Sequence, residues 1–374
     1  MISGGASAAR PHGDLYYGNP TPYTSCAVGR EIQPAPPAAP ATARSRRTVA
    51  LAVTATSFLA SLGIAELGPR LLGRHPWGYS EAGAKEPALV DPDPFFGWVN
   101  KPGHWVLPPH VSDGPTREVT NLADHSRTTG APGGANSGRV VFVGCSVTNG
   151  YGLSDADTFA WKIQHSHPDL RVVNFGTAAY GTFQSLLRLE RVLDESPPPR
   201  LALYGFITQH EARNVATYDW LRGLALTSGR GHVAPPYVTL GVGETLERHP
   251  PEAFSIWPLA DRLVTVRMAG DAYMHLLTYG RPAQGAEATK RLLVEMKELA
   301  RRRSTPFAVV FLAAQDAKQE EYLAFFRENL IPYIDCVRPL TEDNRIAGEG
   351  HPNARLNSLW ARCISDKLPD LLER

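Results

Sequence analysis

From residue 139 to the C-terminus the sequence predicts an α/β fold built on a five-stranded parallel sheet. Three observations predict it. Short apolar runs bounded by turn residues alternate with longer stretches whose apolar positions fall at helical spacing, the pattern of βα units. The runs are continuously apolar, as strands of a parallel sheet covered on both sides are. No internal repeat and no G-x-G-x-x-G dinucleotide fingerprint suggests another architecture.

The elements follow in order. Residues 139–144 form the first strand, ending in Gly144-Cys145-Ser146. Residues 158–165 form a short helix and 171–175 the second strand. Residues 182–194 are a helix with Leu186, Leu189 and Leu193 on its inner side, and 201–207 the third strand. Residues 215–285 break the alternation with aromatic and Pro-rich pieces such as Tyr218-Asp-Trp220 and Pro235-Pro-Tyr237. An insertion there is expected above the carboxyl ends of the strands, as a cap or lid. Residues 287–303 are amphipathic through Leu292, Leu293, Met296, Leu299 and Ala300. Strands at 307–313 and 333–337 flank a helix at 319–329. A helix over 354–372 closes the chain, with Leu356, Leu359, Trp360, Cys363 and Leu368 as its apolar positions.

Upstream the character differs. Residues 1–47 are rich in Gly, Ala, Pro and Ser without apolar period and read as a disordered cytoplasmic tail. Arg44, Arg46 and Arg47 precede an uncharged stretch, 48–65. That order predicts a transmembrane signal anchor over 48–66 with an exported C-terminal region. No A-x-A site follows, which favours an uncleaved anchor; a buried soluble helix is the other reading. So long a leader is unusual before an anchor and leaves open a start codon further downstream. Residues 67–137, with turns such as Asp91-Pro-Asp-Pro-Phe-Phe-Gly-Trp98, are expected to be an irregular linker flanking the main domain at 138–374.

The chain has 374 residues and a net charge of +1, which gives no reason to expect nucleic acid as a partner. Its four cysteines form no C-x-x-C pair, so no zinc, other metal or cofactor is expected. Cys336 and Cys363 are candidates to pair in an oxidising compartment.

Four blocks carry candidate chemistry. Ser146 stands just past the carboxyl end of the first strand, where open α/β sheets place ligands, and is the candidate nucleophile. Cys145 is its rival, read instead as a small buried hydrophobe. After the second strand comes Asn174-Phe-Gly176-Thr-Ala-Ala-Tyr-Gly181, in which Gly181 allows a backbone N–H to approach a ligand closely. After the third comes Gln209-His210-Glu-Ala-Arg213-Asn214. Gln209 or His210 is a candidate oxyanion donor; Arg213 and Asn214 are candidate orienting or binding residues, or else a cap and a surface pair. Before the last helix stands Gly348-Glu349-Gly350-His351-Pro352-Asn353, where His351 can serve as base with Glu349 holding its tautomer.

Together these blocks resemble the SGNH (GDSL-type) hydrolases over about residues 138–374. Gly144-Cys-Ser146 is similar to their first block, with Cys145 where Asp is usual. Asn174-x-Gly-x-x-x-x-Gly181 resembles the second, and Gly350-His351-Pro-Asn353 the last. The upstream Gly97-Trp-x-x-Lys101-Pro102 piece resembles membrane-anchored bacterial members. The resemblance implies a flavodoxin-like three-layer α/β/α sandwich. It implies a Ser146–His351–Glu349 triad, with Glu349 in place of the usual Asp. Ser146 and Gly181 would give oxyanion N–H groups, and Gln209 or His210 the third donor in place of Asn. A subgroup with Gly-Cys-Ser carries His-x-x-Arg-Asn at this third block. The implied activity is extracytoplasmic hydrolysis of an O-acyl, foremost O-acetyl, ester on a glycan or lipid. Alternatives are O-acetyl transfer to cell-surface polysaccharide and a non-catalytic glycan-binding module.

Overall fold

The computed structural model describes residues 43–78, 88–112, 114–130, 138–195, 197–227, 234–315 and 317–373. The expected disordered tail, except its last few residues, lies outside them. The chain divides into two units, 1–60 and 61–374. In the first, the described residues belong to helix α1 (Ala43–Leu71), whose final turns belong to the second. Over Arg44–Leu71 this helix is long and apolar enough to cross a membrane, and its most apolar window is not buried at all.

The second unit continues with two antiparallel hairpins, β1 (Val90–Asp93) with β2 (Gly97–Asn100) and β3 (Gly103–Leu107) with β4 (Arg117–Asn121). Then come β5 (Arg139–Gly144), α2 (Ser146–Asn149), α3 (Phe159–Ser166), β6 (Arg171–Asn174), α4 (Thr182–Asp194), β7 (Leu201–Ile207) and α5 (His210–Asn214). The insertion holds α6 (Tyr218–Thr227), the hairpin β8 (Tyr237–Leu240) and β9 (Leu246–His249), and α7 (Val264–Leu277). The chain ends with α8 (Arg281–Arg302), β10 (Phe307–Ala313), α9 (Lys318–Glu328), β11 (Tyr333–Asp335), α10 (Ala354–Ser365) and α11 (Leu368–Leu372).

The five-stranded sheet runs β11-β10-β7-β5-β6, every pairing parallel. Counting only its own strands this is the order 2-1-3-4-5 of the flavodoxin-like sheets, so the ligand edge lies where β5 and β7 part to opposite crossovers. With right-handed crossovers, α3 and α10 pack together on one face and α4 and α8 on the other. Strands 139–144, 201–207 and 307–313 and helix 182–194 have the bounds read from the sequence, because their apolar runs are the core itself: Val140–Val143 and Leu201–Tyr204 are buried. The single closing helix expected over 354–372 is instead two. The ring of Pro369 is incompatible with the carbonyl four residues back, and α10 ends at that residue, Ser365. Helix α8 starts earlier than expected, with Pro282 in its first turn.

Residues 67–137 contain more than a linker. Phe96, Trp98 and Val99 belong to the main core, and Arg127 bridges to Asn174 at the edge of β6. The insertion builds a smaller core from Leu221, Tyr237, Phe254 and Met274 with Trp77. Its hairpin packs on α4 and α8, where the guanidinium of Arg248 bridges Glu190 at 2.8 Å and Glu295 at 2.5 Å.

Candidate active site

The turn that carries Ser146 begins with a steric fit. Gly144 ends β5 and lies beside Gly205 of β7. A methyl group on either would come 2.1 Å from Thr148 Oγ1. A side chain at either position would have to displace Thr148, and glycine lets α2 fold back tightly over the sheet with Ser146 as its first residue. Gly176 closes the other side: a Cβ there would stand 2.3 Å from the Asn149 nitrogen. Cys145 is wholly buried and unpaired, and its side chain packs in the main core.

The candidate base, His351, comes from the loop before α10. Ile346 N–H donates to the His351 carbonyl at 2.7 Å, and Arg345 bridges Pro352. Gly350 takes φ +95°, a left-handed conformation that bends the chain between Glu349 and His351. The bend lets one carboxylate accept twice from the same residue: His351 N–H donates to Glu349 Oε2 at 2.8 Å, and Nδ1 lies 2.5 Å from Oε1. With its proton held on Nδ1 by that carboxylate, the ring presents Nε2 as an acceptor. Nε2 lies 3.0 Å from Ser146 Oγ. Ser146 is recessed, with 6% exposure, whereas the imidazole is 31% exposed, so a ligand approaches from the His351 side. Burial works to raise the Glu349 carboxyl, but the hydrogen bonds from His351, its charge and that of His110 outweigh it and hold the group below the ordinary carboxylate value. His110 Nε2 bonds the Gly152 carbonyl at 3.1 Å, and the Tyr151 ring leans on the imidazole. Asn353 fixes the loop's exit by accepting from Leu356 N–H as the cap of α10.

The expected oxyanion donors are arranged less simply. Gly181 N–H donates to Gln184 Oε1 across 3.3 Å, a long bond. Gln209 is exposed. His210 is a correction: its ring is fully buried, with Nδ1 2.6 Å from the Tyr204 hydroxyl and Nε2 enclosed. Burial, with the nearby Arg213 charge, pushes its pKa well below the ordinary histidine value. An imidazole so enclosed meets no substrate from solvent. Asn214 is buried too: Oδ1 accepts from Phe183 N–H at 3.0 Å, and Nδ2 donates to Thr182 and Thr289. Arg213 donates to the Tyr180 carbonyl at 2.9 Å and lies over Trp220. Both therefore help to position the second block.

Several residues of this neighbourhood were not read from the sequence as part of the site. Arg127, 1% exposed, donates to Asp155 at 3.0 Å and to the carbonyls of Asn149, Gly150 and Leu153. It gathers the whole loop that follows the nucleophile. Trp98 donates to the Ala178 carbonyl and Asn100 to that of Gly176, so the upstream hairpin braces the second block. Nothing in the residue order marks contacts between segments so far apart. Among the described residues no group of three His, Cys, Asp or Glu side chains converges as a metal site requires.

No family model matches the chain, and no curated protein does. Solved structures do. A lipolytic protein of the G-D-S-L family from Veillonella parvula is 15% identical, with TM-score 0.37, over 62% of this chain and 99% of its own. A second described as a putative lipolytic protein of that family, from Desulfitobacterium hafniense, is 14% identical, with TM-score 0.36, over 62% and 100%. The psychrotrophic esterase EstA from a Pseudoalteromonas species is 10% identical, with TM-score 0.38, over 64% and 100%.

Proposed function

We propose that this chain is a serine hydrolase of ester bonds. More particularly, it is an SGNH-type esterase, anchored in a membrane with its catalytic unit outside the cytoplasm, acting on O-acyl, foremost O-acetyl, groups of a glycan or lipid. The observation that carries the reading is the continuous relay from Ser146 Oγ to His351 Nε2 at 3.0 Å and from His351 Nδ1 to Glu349 at 2.5 Å, set at the sheet's switch point.

In this reading His351 Nε2 takes the hydroxyl proton as Ser146 Oγ bonds to the acyl carbon. Glu349 stabilises the imidazolium that forms. The carbonyl oxygen, now an oxyanion, is met by the Ser146 N–H and by the Gly181 N–H as it leaves its long bond to Gln184. The imidazolium protonates the leaving alcohol and an acyl-enzyme remains. Water, deprotonated by His351, releases the acid and restores Ser146. A sugar hydroxyl in place of water gives O-acetyl transfer. The apolar length of α1 supports the anchor, and the disulfide between Cys336 and Cys363, Cα atoms 6.0 Å apart, supports an oxidising compartment.

The enclosure of His210 favours a second reading, a non-catalytic glycan-binding module. Hydrolysis of p-nitrophenyl acetate by the full chain, with Ser146→Ala beside it, separates the two. The esterase reading expects the variant to lose about 10³-fold or more in kcat with its fold intact; equal rates support the binding module.

A further inference from the structure

We propose that the outward face of α7 lies in the lipid interface beside the anchor and seats the catalytic unit on the bilayer. This rests on the anchor reading above and adds a second, separate membrane contact.

Helix α7 is unusual in what it leaves in water. Met268, Ala269, Ala272, Tyr273 and Leu276 recur at helical spacing, and all are exposed, Leu276 to 75%. Tyr279, just past the helix, is 77% exposed. Scattered apolar side chains are ordinary on a protein surface, but a contiguous helical stripe is not. No exposed residue from 268 to 279 is Asp, Glu, Lys or Arg. The charges of the helix, Arg267 and Asp271, pair with each other at 3.1 Å away from this stripe, and Met274 on the opposite side fills the insertion's small core.

What covers the stripe is indicated by its neighbour. The last turns of α1 are fastened to the start of α7. Glu66 accepts from the N–H groups of Val264 at 2.9 Å and Thr265 at 3.0 Å, and from the Thr265 hydroxyl at 2.9 Å. Arg70 donates to the Arg262 carbonyl at 2.7 Å. Glu66 is also the first charge after the uncharged stretch 48–65. Eighteen helical residues rise about 27 Å, close to the roughly 30 Å of a hydrocarbon core. Glu66 therefore falls at the exit plane of the anchor, and α7 begins at that plane. The side chains offered there suit a headgroup boundary. Trp257, Tyr273 and Tyr279 are the aromatic types that favour it, while the exposed Arg74 and Arg262 are placed to meet phosphate.

The test is site-directed spin labelling of the full chain in phosphatidylcholine–phosphatidylglycerol vesicles, in a Cys26→Ser background. Labels are placed by Leu276→Cys and Tyr279→Cys on the stripe, Leu59→Cys in the anchor and Val242→Cys on the distant hairpin. Collision with apolar oxygen and with a water-soluble nickel chelate is compared at each. The proposal expects labels at 276 and 279 to favour oxygen several-fold over the label at 242, as the label at 59 does. If 59 favours oxygen while 276 and 279 match 242, the stripe is in water and this proposal alone falls. If 276 and 279 are shielded from both reagents, protein covers the stripe and the lipid assignment is overturned. A water-exposed 59 removes the anchor reading and this proposal with it. None of these outcomes depends on hydrolysis.

Discussion

Ser146 stands on a turn that the core holds from several sides, whereas His351 and Glu349 stand on a loop that largely holds itself. Around the nucleophile, Gly144, Gly205 and Gly176 admit backbone and the Thr148 side chain at distances no larger residue allows, and Arg127 gathers the following loop from 22 or more positions away. Around the base, the decisive contacts span two to five residues: Glu349 to His351, and Ile346 to His351. The first region is rigid because long-range packing leaves it no alternative. The second is precise because one bend brings a carboxylate and an imidazole together. Damage to the first should cost fold and chemistry together, and damage to the second mainly chemistry.

The largest effect that would sharpen this contrast is expected from Arg127→Met. It leaves Asp155 buried without its cation and strands three carbonyls, which should remove about 3–5 kcal/mol of stability. Urea denaturation would read the loss, and a stability like that of the parent would show that the nucleophile loop is held by other means. Glu349→Gln should be nearly as costly to rate, roughly 10³-fold in kcat, while lowering the denaturation midpoint only by the carboxylate's own contribution. The same variant tests the pH behaviour. Folding lowers the Glu349 pKa, so the stability the ionised carboxylate contributes is fully present above the ordinary value of 4.5 and is lost as pH falls through the lowered value. Stability measured across that acid range should fall in the parent and lose this component in Glu349→Gln; parallel curves would separate the carboxylate from the effect. A smaller loss, about 1–3 kcal/mol, is expected from Gly205→Ala, whose methyl group must displace Thr148. If thermal melting and ester hydrolysis both stay at parental values, the steric account of the turn is wrong.

This contrast also explains what could be read from the sequence. Ser146, Glu349 and His351 were legible because each lies in a short local pattern at a strand end or before a helix, and the three meet in the structure. The strands at 139–144, 201–207 and 307–313 were legible because all of their residues are buried but one end residue of the first and one of the last. Arg127 and Asn100 were not, because their partners are distant and their own surroundings look like loop; Trp98 was marked in the piece at 97–102, but its contact with the second block was not. His210 misled for a related reason. A polar residue three steps past a strand can face the ligand edge or turn under it, and Tyr204 on that same strand offers a hydroxyl that draws the ring inward. The hairpin at 237–249 likewise follows Arg248 onto the helices, which no local pattern indicates.

The central claim is that Ser146 is a nucleophile activated by His351. The most direct measurement is covalent trapping of the full chain by a fluorophosphonate, followed by mass mapping of the modified peptide. The account predicts one adduct, on Ser146, absent in Ser146→Ala and formed far more slowly in His351→Ala. An unmodified Ser146, or one that reacts at the same rate without His351, would contradict it.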